Sequence, residues 1–173
     1  MATYTLINSN VLSSSAASVT FSSIPATYTD LVVRLSIRTD LANFYDADRI
    51  YFNGSAATTN YSYTWLRGLG SGTPSSGSQT SGDAGTGLHS EGNTATSNTF
   101  SSGEVYISNY STSASKPFSF FNLGENNSTS ARMGVAANLF SSSAAISSIT
   151  FYPLEGTNYL STSSFYLYGI SNA

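Results

Sequence analysis

Leu31-Val32-Val33-Arg34-Leu35-Ser36-Ile37-Arg38 decides the fold. Leu31, Val33, Leu35 and Ile37 fall on one side of a period-two pattern, with Val32, Arg34, Ser36 and Arg38 on the other. Only an extended chain sends alternate side chains to opposite faces, so this is a strand with one apolar face. The same alternation recurs on both sides of it. Upstream, Ala17, Val19 and Phe21 alternate with Ser18, Thr20 and Ser22, and Tyr4 and Leu6 begin the pattern. Downstream, Ile50 and Phe52 lead into Asn53-Gly54, a tight-turn dipeptide. Val105 and Ile107, Phe118 and Phe120, Ile149 and Phe151, and Phe165 and Leu167 follow. Roughly eight to ten short strands at this spacing predict an all-β, antiparallel β-sandwich, jelly-roll-like in organisation.

Helix signals are weak. Between Ala131 and Ala145 a helical stripe competes with the alternation of Met133, Val135, Ala137 and Leu139. Gly134 and Ser141-Ser142-Ser143 disfavour a long helix, so this window is read as a strand followed by a turn.

The 173 residues set one domain, 1–173, as the expectation. Ser, Thr and Asn fill about two-fifths of the chain and charged residues only 9%. Aromatics at 13% provide enough to bury, so the low charge does not signal disorder. Six Lys and Arg against a net charge of −3 argue against a nucleic-acid partner, which needs clustered cations. No long apolar run suggests a membrane span, and the N-terminus lacks the basic and apolar regions of a secretory leader. Synthesis in a cytoplasm is therefore expected.

One stretch breaks the strand pattern. From Gly68 to Ser102, glycines alternate with Ser and Thr and almost nothing apolar intervenes. Its composition predicts a long Gly/Ser-rich loop inside one domain, because it offers little surface to offset its ordering entropy.

Catalytic and metal chemistry find few residues here. The chain has no cysteine and a single histidine, His89, placed in the loop and expected at the surface. A hydrolytic triad would need that imidazole with Asp83 or Glu91 and one of many serines, with nothing in the loop to hold the geometry. Asp40, Asp46 and Asp48 are the candidate metal ligands, since Asp46-Ala47-Asp48 has the alternate spacing of a calcium loop. Counted from Asp46, however, the sixth position is Tyr51 and the twelfth Ala57, where an EF-hand requires Gly and Glu. A turn or salt-bridge role beside Arg38 and Arg49 is the simpler reading. No enzyme activity and no cofactor are expected.

Aromatic residues carry the remaining candidates. Tyr61, Tyr63 and Trp65 alternate on one strand and could stack on sugar rings as a glycan platform, although such a stripe is more commonly core. Tyr51, Tyr106, Tyr110, Tyr166 and Tyr168 fall opposite the inferred core faces and are the candidate interface residues, because Tyr buries large area at low entropy cost.

Three stretches carry a resemblance. Ser22-Ser23-Ile24-Pro25-Ala26-Thr27-Tyr28-Thr29-Asp30-Leu31 reads strand end, turn, strand. The segment Glu104-Val105-Tyr106-Ile107-Ser108-Asn109-Tyr110 is followed shortly by Lys116. The C-terminal run holds Ile149-Thr150-Phe151, Gly156-Thr157-Asn158-Tyr159 and Ser163-Ser164-Phe165-Tyr166-Leu167-Tyr168-Gly169-Ile170. Together these resemble small β-sandwich structural proteins of tailed bacteriophages, cyanophages among them. The resemblance covers both ends and the middle and rests on strand patterns, so no catalytic residue carries over. It implies a virion component, either a capsid decoration (cement) protein or the head of a tail fibre. With strands expected from Thr3 to Ile170, no stretch is left for a fibre shaft, which favours decoration. Decoration proteins of this kind imply a homotrimer on the outer capsid surface, with the major capsid protein as partner. A tail-fibre tip or lectin-like domain recognising host glycans is the alternative.

Overall fold

In a computed structural model the described residues are 1–56, 58–70, 72–82, 87–125 and 131–171. Their strands form two antiparallel sheets packed face to face, so the chain is an all-β sandwich. In chain order the strands are β1 (Thr3–Val11), β2 (Val19–Phe21), β3 (Asp30–Ile37), β4 (Tyr45–Phe52), β5 (Tyr61–Leu69) and β6 (Ser75–Gln79). They continue as β7 (His89–Glu91), β8 (Ser101–Ile107), β9 (Lys116–Glu125), β10 (Ala131–Phe140), β11 (Ile149–Pro153) and β12 (Ser164–Ser171). The larger sheet runs β1-β12-β3-β8-β9-β10-β5-β6 and the smaller β2-β11-β4-β7. The strands thus divide eight and four, whereas a jelly roll distributes eight strands over its two sheets.

The core forms where the apolar alternations of the two sheets meet. Leu31, Val33, Leu35 and Ile37 of β3 are buried between Phe165 and Leu167 of β12 and Val105 and Ile107 of β8. From the smaller sheet, Ile50, Phe52, Ile149 and Phe151 close over them. Aromatic rings fill one end: Phe52 lies 5.0 Å from Phe118 and 5.4 Å from Phe140, and Tyr61 stacks on Phe140 at 4.9 Å.

The segment expected as a Gly/Ser loop contains two strands. β6 adds an edge to the larger sheet by pairing with β5, and β7 pairs with β4. Residues 88–91 are buried. Composition misses these strands because the segment's apolar contribution is nearly confined to Leu88, which enters the core, while polar anchors hold the stretch after β7. The buried Arg38 guanidinium donates to the carbonyls of Thr96, Thr99, Asn93 and Ala95, at 2.7, 2.9, 3.1 and 2.9 Å. Glu125 adds its carboxylate, which accepts from the Thr96 N–H at 2.6 Å. His89, expected at the surface, is consequently 7% exposed.

Gly87 marks where this strap crosses the larger sheet. Its φ of +113° disfavours any L side chain, and a Cβ there would lie 2.6 Å from the Ala136 Cβ. Gly54, at φ +67° with open space around it, has the conformational requirement alone. Gly54→Ala should therefore cost about 1 kcal/mol, and Gly87→Ala about 2–4 kcal/mol because the clash adds to the strain. Denaturant unfolding of both variants measures this, and equal losses would contradict the close approach.

Candidate functional site

Two regions outside the aromatic core could carry function, one inside the sandwich and one on its outer surface. The inner one is built where β7 and the Asp40–Asp48 segment meet the larger sheet. Alternation along β4 sends Asp46 and Asp48 inward with Ile50 and Phe52. Asp46 accepts from the N–H groups of Glu155 and Gly156 at 3.2 and 3.0 Å. Asp40 accepts from the N–H groups of Thr157 and Asn158 and from the Asn158 amide at 2.7, 3.0 and 2.9 Å. Both carboxylates thus hold the β11–β12 connection as turn anchors. Asp48, buried, accepts from the Tyr159 hydroxyl at 2.8 Å. Burial, and then the neighbouring Asp46 charge, push the Asp48 carboxyl well above its ordinary range. Among the described residues no three His, Asp or Glu side chains converge as a metal site would require.

The hydrolytic candidates are similarly engaged. Glu91 pairs with Arg132 at 3.2 Å, with both side chains almost wholly buried, and accepts from the Glu125 N–H at 2.9 Å. The His89 imidazole bonds the Gly87 carbonyl. Burial first, then the charges of Arg132 and Arg67, lower its pKa to about 3, so it is neutral at pH 7. Asp83, the other acid named for a triad, lies outside the described residues.

Of the candidate glycan stripe, Tyr61 is core, whereas Tyr63 and Trp65 are only partly buried. Tyr61 is 2% exposed; its hydroxyl accepts from the Phe52 N–H and donates to the Ser55 carbonyl, and burial raises its pKa to about 12. Tyr63 bonds Gln79, and Trp65 is covered by the Arg67 guanidinium 4.9 Å over its ring and by Gly77. The three residues share one face of β5, as alternation predicts, and along it Tyr61 and Trp65 pack on the core while Tyr63 stays at the margin with Gln79.

The interface tyrosines separate. Tyr106, Tyr166 and Tyr168 come together on the outer face of the larger sheet, half-buried. Tyr51 is on the outside of the smaller sheet, 5.4 Å from Tyr152. Tyr110 is a core residue, fully buried, with its hydroxyl donating to the Pro25 carbonyl. Counting from Tyr106 places Tyr110 on the outer face, but β8 ends at Ile107 and Asn109 adopts φ 49°. That left-handed turn breaks the alternation and folds Tyr110 inward.

The outer face of the larger sheet is the second region and the stronger candidate. Its apolar centre is Phe121 and Leu123 of β9, Met133 and Val135 of β10 and Leu66 of β5, adjacent in register. Leu66, Phe121, Leu123 and Met133 are 57%, 46%, 42% and 45% exposed, large values for side chains of this size. Beside them, Ser119, Ala137 and Thr64 floor an apolar trough of about 430 Å³. Towards β1, Tyr168 and Tyr106 flank Val32, which is 2% exposed although it belongs to no part of the main core. Tyr106 donates to Asp30 at 2.6 Å; this bond, with burial, raises its pKa to about 12. Arg34 and Glu104, paired at 2.8 Å in mid-sheet, are the charges at the centre of this surface. Sequence reasoning found the alternation of Met133, Val135, Ala137 and Leu139 but not its outward direction; the inward set is Arg132, Gly134, Ala136, Asn138 and Phe140. The doublet Phe120-Phe121 was the available signal, since one of two adjacent aromatics on a strand must face out.

Compared with family models, curated proteins and solved structures, the chain matches none. Among the described residues no helix is long and apolar enough to cross a membrane.

His89 supplies a pH signature for the strap. Its folded pKa is depressed, so its contribution is fully present above the unfolded value near 6.5 and is lost as pH falls toward about 3. The stability difference between the parent and His89→Gln should fall through this window by up to about 1.4 kcal/mol per pH unit. Raised carboxyls such as Asp48 act with opposite sign but cancel in the difference. Parallel stability curves from pH 7 to 4 would show that His89 is not held neutral.

Proposed function

We propose that this chain is a non-enzymatic structural component of a phage particle, a capsid decoration protein that binds the outer shell and bridges capsomers. The observation that carries the reading is the broad, nearly uncharged apolar face on the larger sheet. Monomeric proteins seldom leave such a patch open to water, so it favours a life in an assembly. The strand patterns that resemble phage β-sandwich proteins indicate which kind. The nominated acids hold loops and the lone imidazole is buried and neutral, which is the arrangement expected of a scaffold without chemistry. The partners in this reading are the major capsid protein and further copies of the chain, after synthesis in the host cytoplasm. Packaged DNA pushes capsomers apart, and a clamp across their junction adds contact that must break before the shell opens. Apolar contact with few ion pairs gives attachment that depends only modestly on salt.

Quantifying the protein in purified particles, with antibody labelling to locate it, tests the proposal. Copies spread over the head in numbers comparable to the shell subunits are expected. A small number confined to the tail would overturn decoration and favour the fibre-tip alternative.

A further inference from the structure

We infer that the outer face of the larger sheet is covered by the same face of a second copy, related by a two-fold axis that runs parallel to the strands between β3 and β8. Three observations lead there. The first is charge. Arg34 of β3 and Glu104 of β8 are neighbours in register and lie 2.8 Å apart among apolar, aromatic and hydroxyl side chains. A two-fold axis between their strands sets Arg34 of each copy over Glu104 of the other. The face is therefore complementary to itself in charge about this axis, as an isologous contact requires.

The second is shape. The same axis lays β9 over β12 of the second copy and β10 over its β1. In the row beside the charges, the order is Leu6, Tyr168, Val32, Tyr106, Ser119, Ala137. Folding that row back on itself puts Tyr168 over Ser119, Leu6 over Ala137 and Tyr106 over Val32. Large side chains of one half thus meet the small floor of the trough in the other. In the charged row Phe121 meets Tyr166 and Val135 meets Ser9.

The third is area. Six of the eight strands overlap in this arrangement, with β5 and β6, and so Leu66, at its margin, and at ~4.8 Å between strands and ~3.3 Å per residue they cover roughly 700 Å². Stable interfaces bury about 800 Å² on each partner, so the overlap is of the needed size before side-chain relief is counted. Aligned packing of two sheet faces about 10 Å apart is a standard arrangement within proteins. This pairing uses the face named in the proposed function but needs no shell. It replaces the trimer that the resemblance implies with a two-fold pair.

The experiment is sedimentation and native mass spectrometry of the full chain and four preparations: Arg34→Glu, Glu104→Arg, the double variant, and the two single variants mixed. Thermal unfolding confirms that each is folded. The parent is expected to be a dimer. Each single variant places like charges opposite each other and should dimerise at least ~10-fold more weakly. The equimolar mixture should recover dimers containing one chain of each kind. In such a dimer the two substituted positions face each other with opposite charges, and the unaltered Arg34 of one chain faces the unaltered Glu104 of the other. The double variant should pair with itself and not with the parent. A parent that is monomeric or trimeric overturns the inference, as does a dimer that both single variants leave unchanged. Shell binding by a monomeric parent would preserve the decoration reading while removing the second copy from this face.

Discussion

Arg132 and Glu91 meet at 3.2 Å with almost no contact with water, and much of the molecule is arranged around keeping them together. Burial alone raises the Glu91 carboxyl and lowers the Arg132 guanidinium, so each charge tolerates its position because the other is there. Removing one partner of such a pair leaves a buried, uncompensated charge and costs about 3–5 kcal/mol. Tyr45 stands 5.2 Å from the guanidinium as a second partner through its ring. Gly124 is required beside them, since a Cβ there would collide with Glu91 Oε1. Through Glu91 the pair also fixes the backbone of β7, where the Glu91 carbonyl accepts from the Thr39 N–H at 2.7 Å. A three-residue strand is thereby tied to both sheets at once.

The same pair shares with the core residues Phe140 and Ala136 the register that sets the outer surface. Arg132 must point inward to reach Glu91, and the strand period then fixes every other residue of β10. Gly134 turns in as well, where the Asn122 amide bonds its carbonyl at 3.1 Å in the orientation that also satisfies Gly87 and His89. Met133, Val135 and Leu139 are left facing out. A one-residue slip would bury the aliphatic set and expose Arg132 and Asn138, but it would strand Glu91 without its cation. The internal ion pair and the external apolar face are two consequences of one register.

That coupling explains which parts of the structure were legible in sequence. β3, β4, β11 and β12 follow the expectation that apolar residues of an alternating strand face the core. Asn53-Gly54 supplies the turn it signals, with positive φ at both residues. β10 alternates as expected, but its aliphatic set faces out: the inward set puts Phe140 and Ala136 in the core and brings Arg132 to Glu91, a partner 41 positions away in sequence. β6 and β7 were hidden because Ser and Gly carry no periodic apolar signal; β6 is ordered by its ladder with β5 and by the Tyr63–Gln79 and Arg67–Ser75 bonds, and β7 by its pairing with β4 and the Glu91–Arg132 pair. Tyr61 was placed on the correct strand face, but only the tertiary packing of Phe52 and Phe140 makes that face interior. Of the candidate surface, Tyr106, Tyr166 and Tyr168 were readable from alternation, whereas Leu66, Phe121 and Met133 required the register.

Charge is distributed across the whole chain by the same rule. Of the fifteen charged residues, six basic and nine acidic, seven are buried among the described residues: Asp30, Arg38, Asp46, Asp48, Glu91, Lys116 and Arg132. Nearly half of a scarce resource is thus placed inside, where it gathers loop carbonyls and N–H groups that the Ser- and Gly-rich connections cannot satisfy themselves. The surface keeps hydroxyls and amides for solubility and very little long-range field. Two such surfaces neither attract nor repel strongly at a distance, so association depends on short-range fit. A face of this kind discriminates by shape, and by the single Arg34–Glu104 pair that would be penalised in a wrong alignment. In the pairing proposed above, that penalty is what would set the alignment of the two copies.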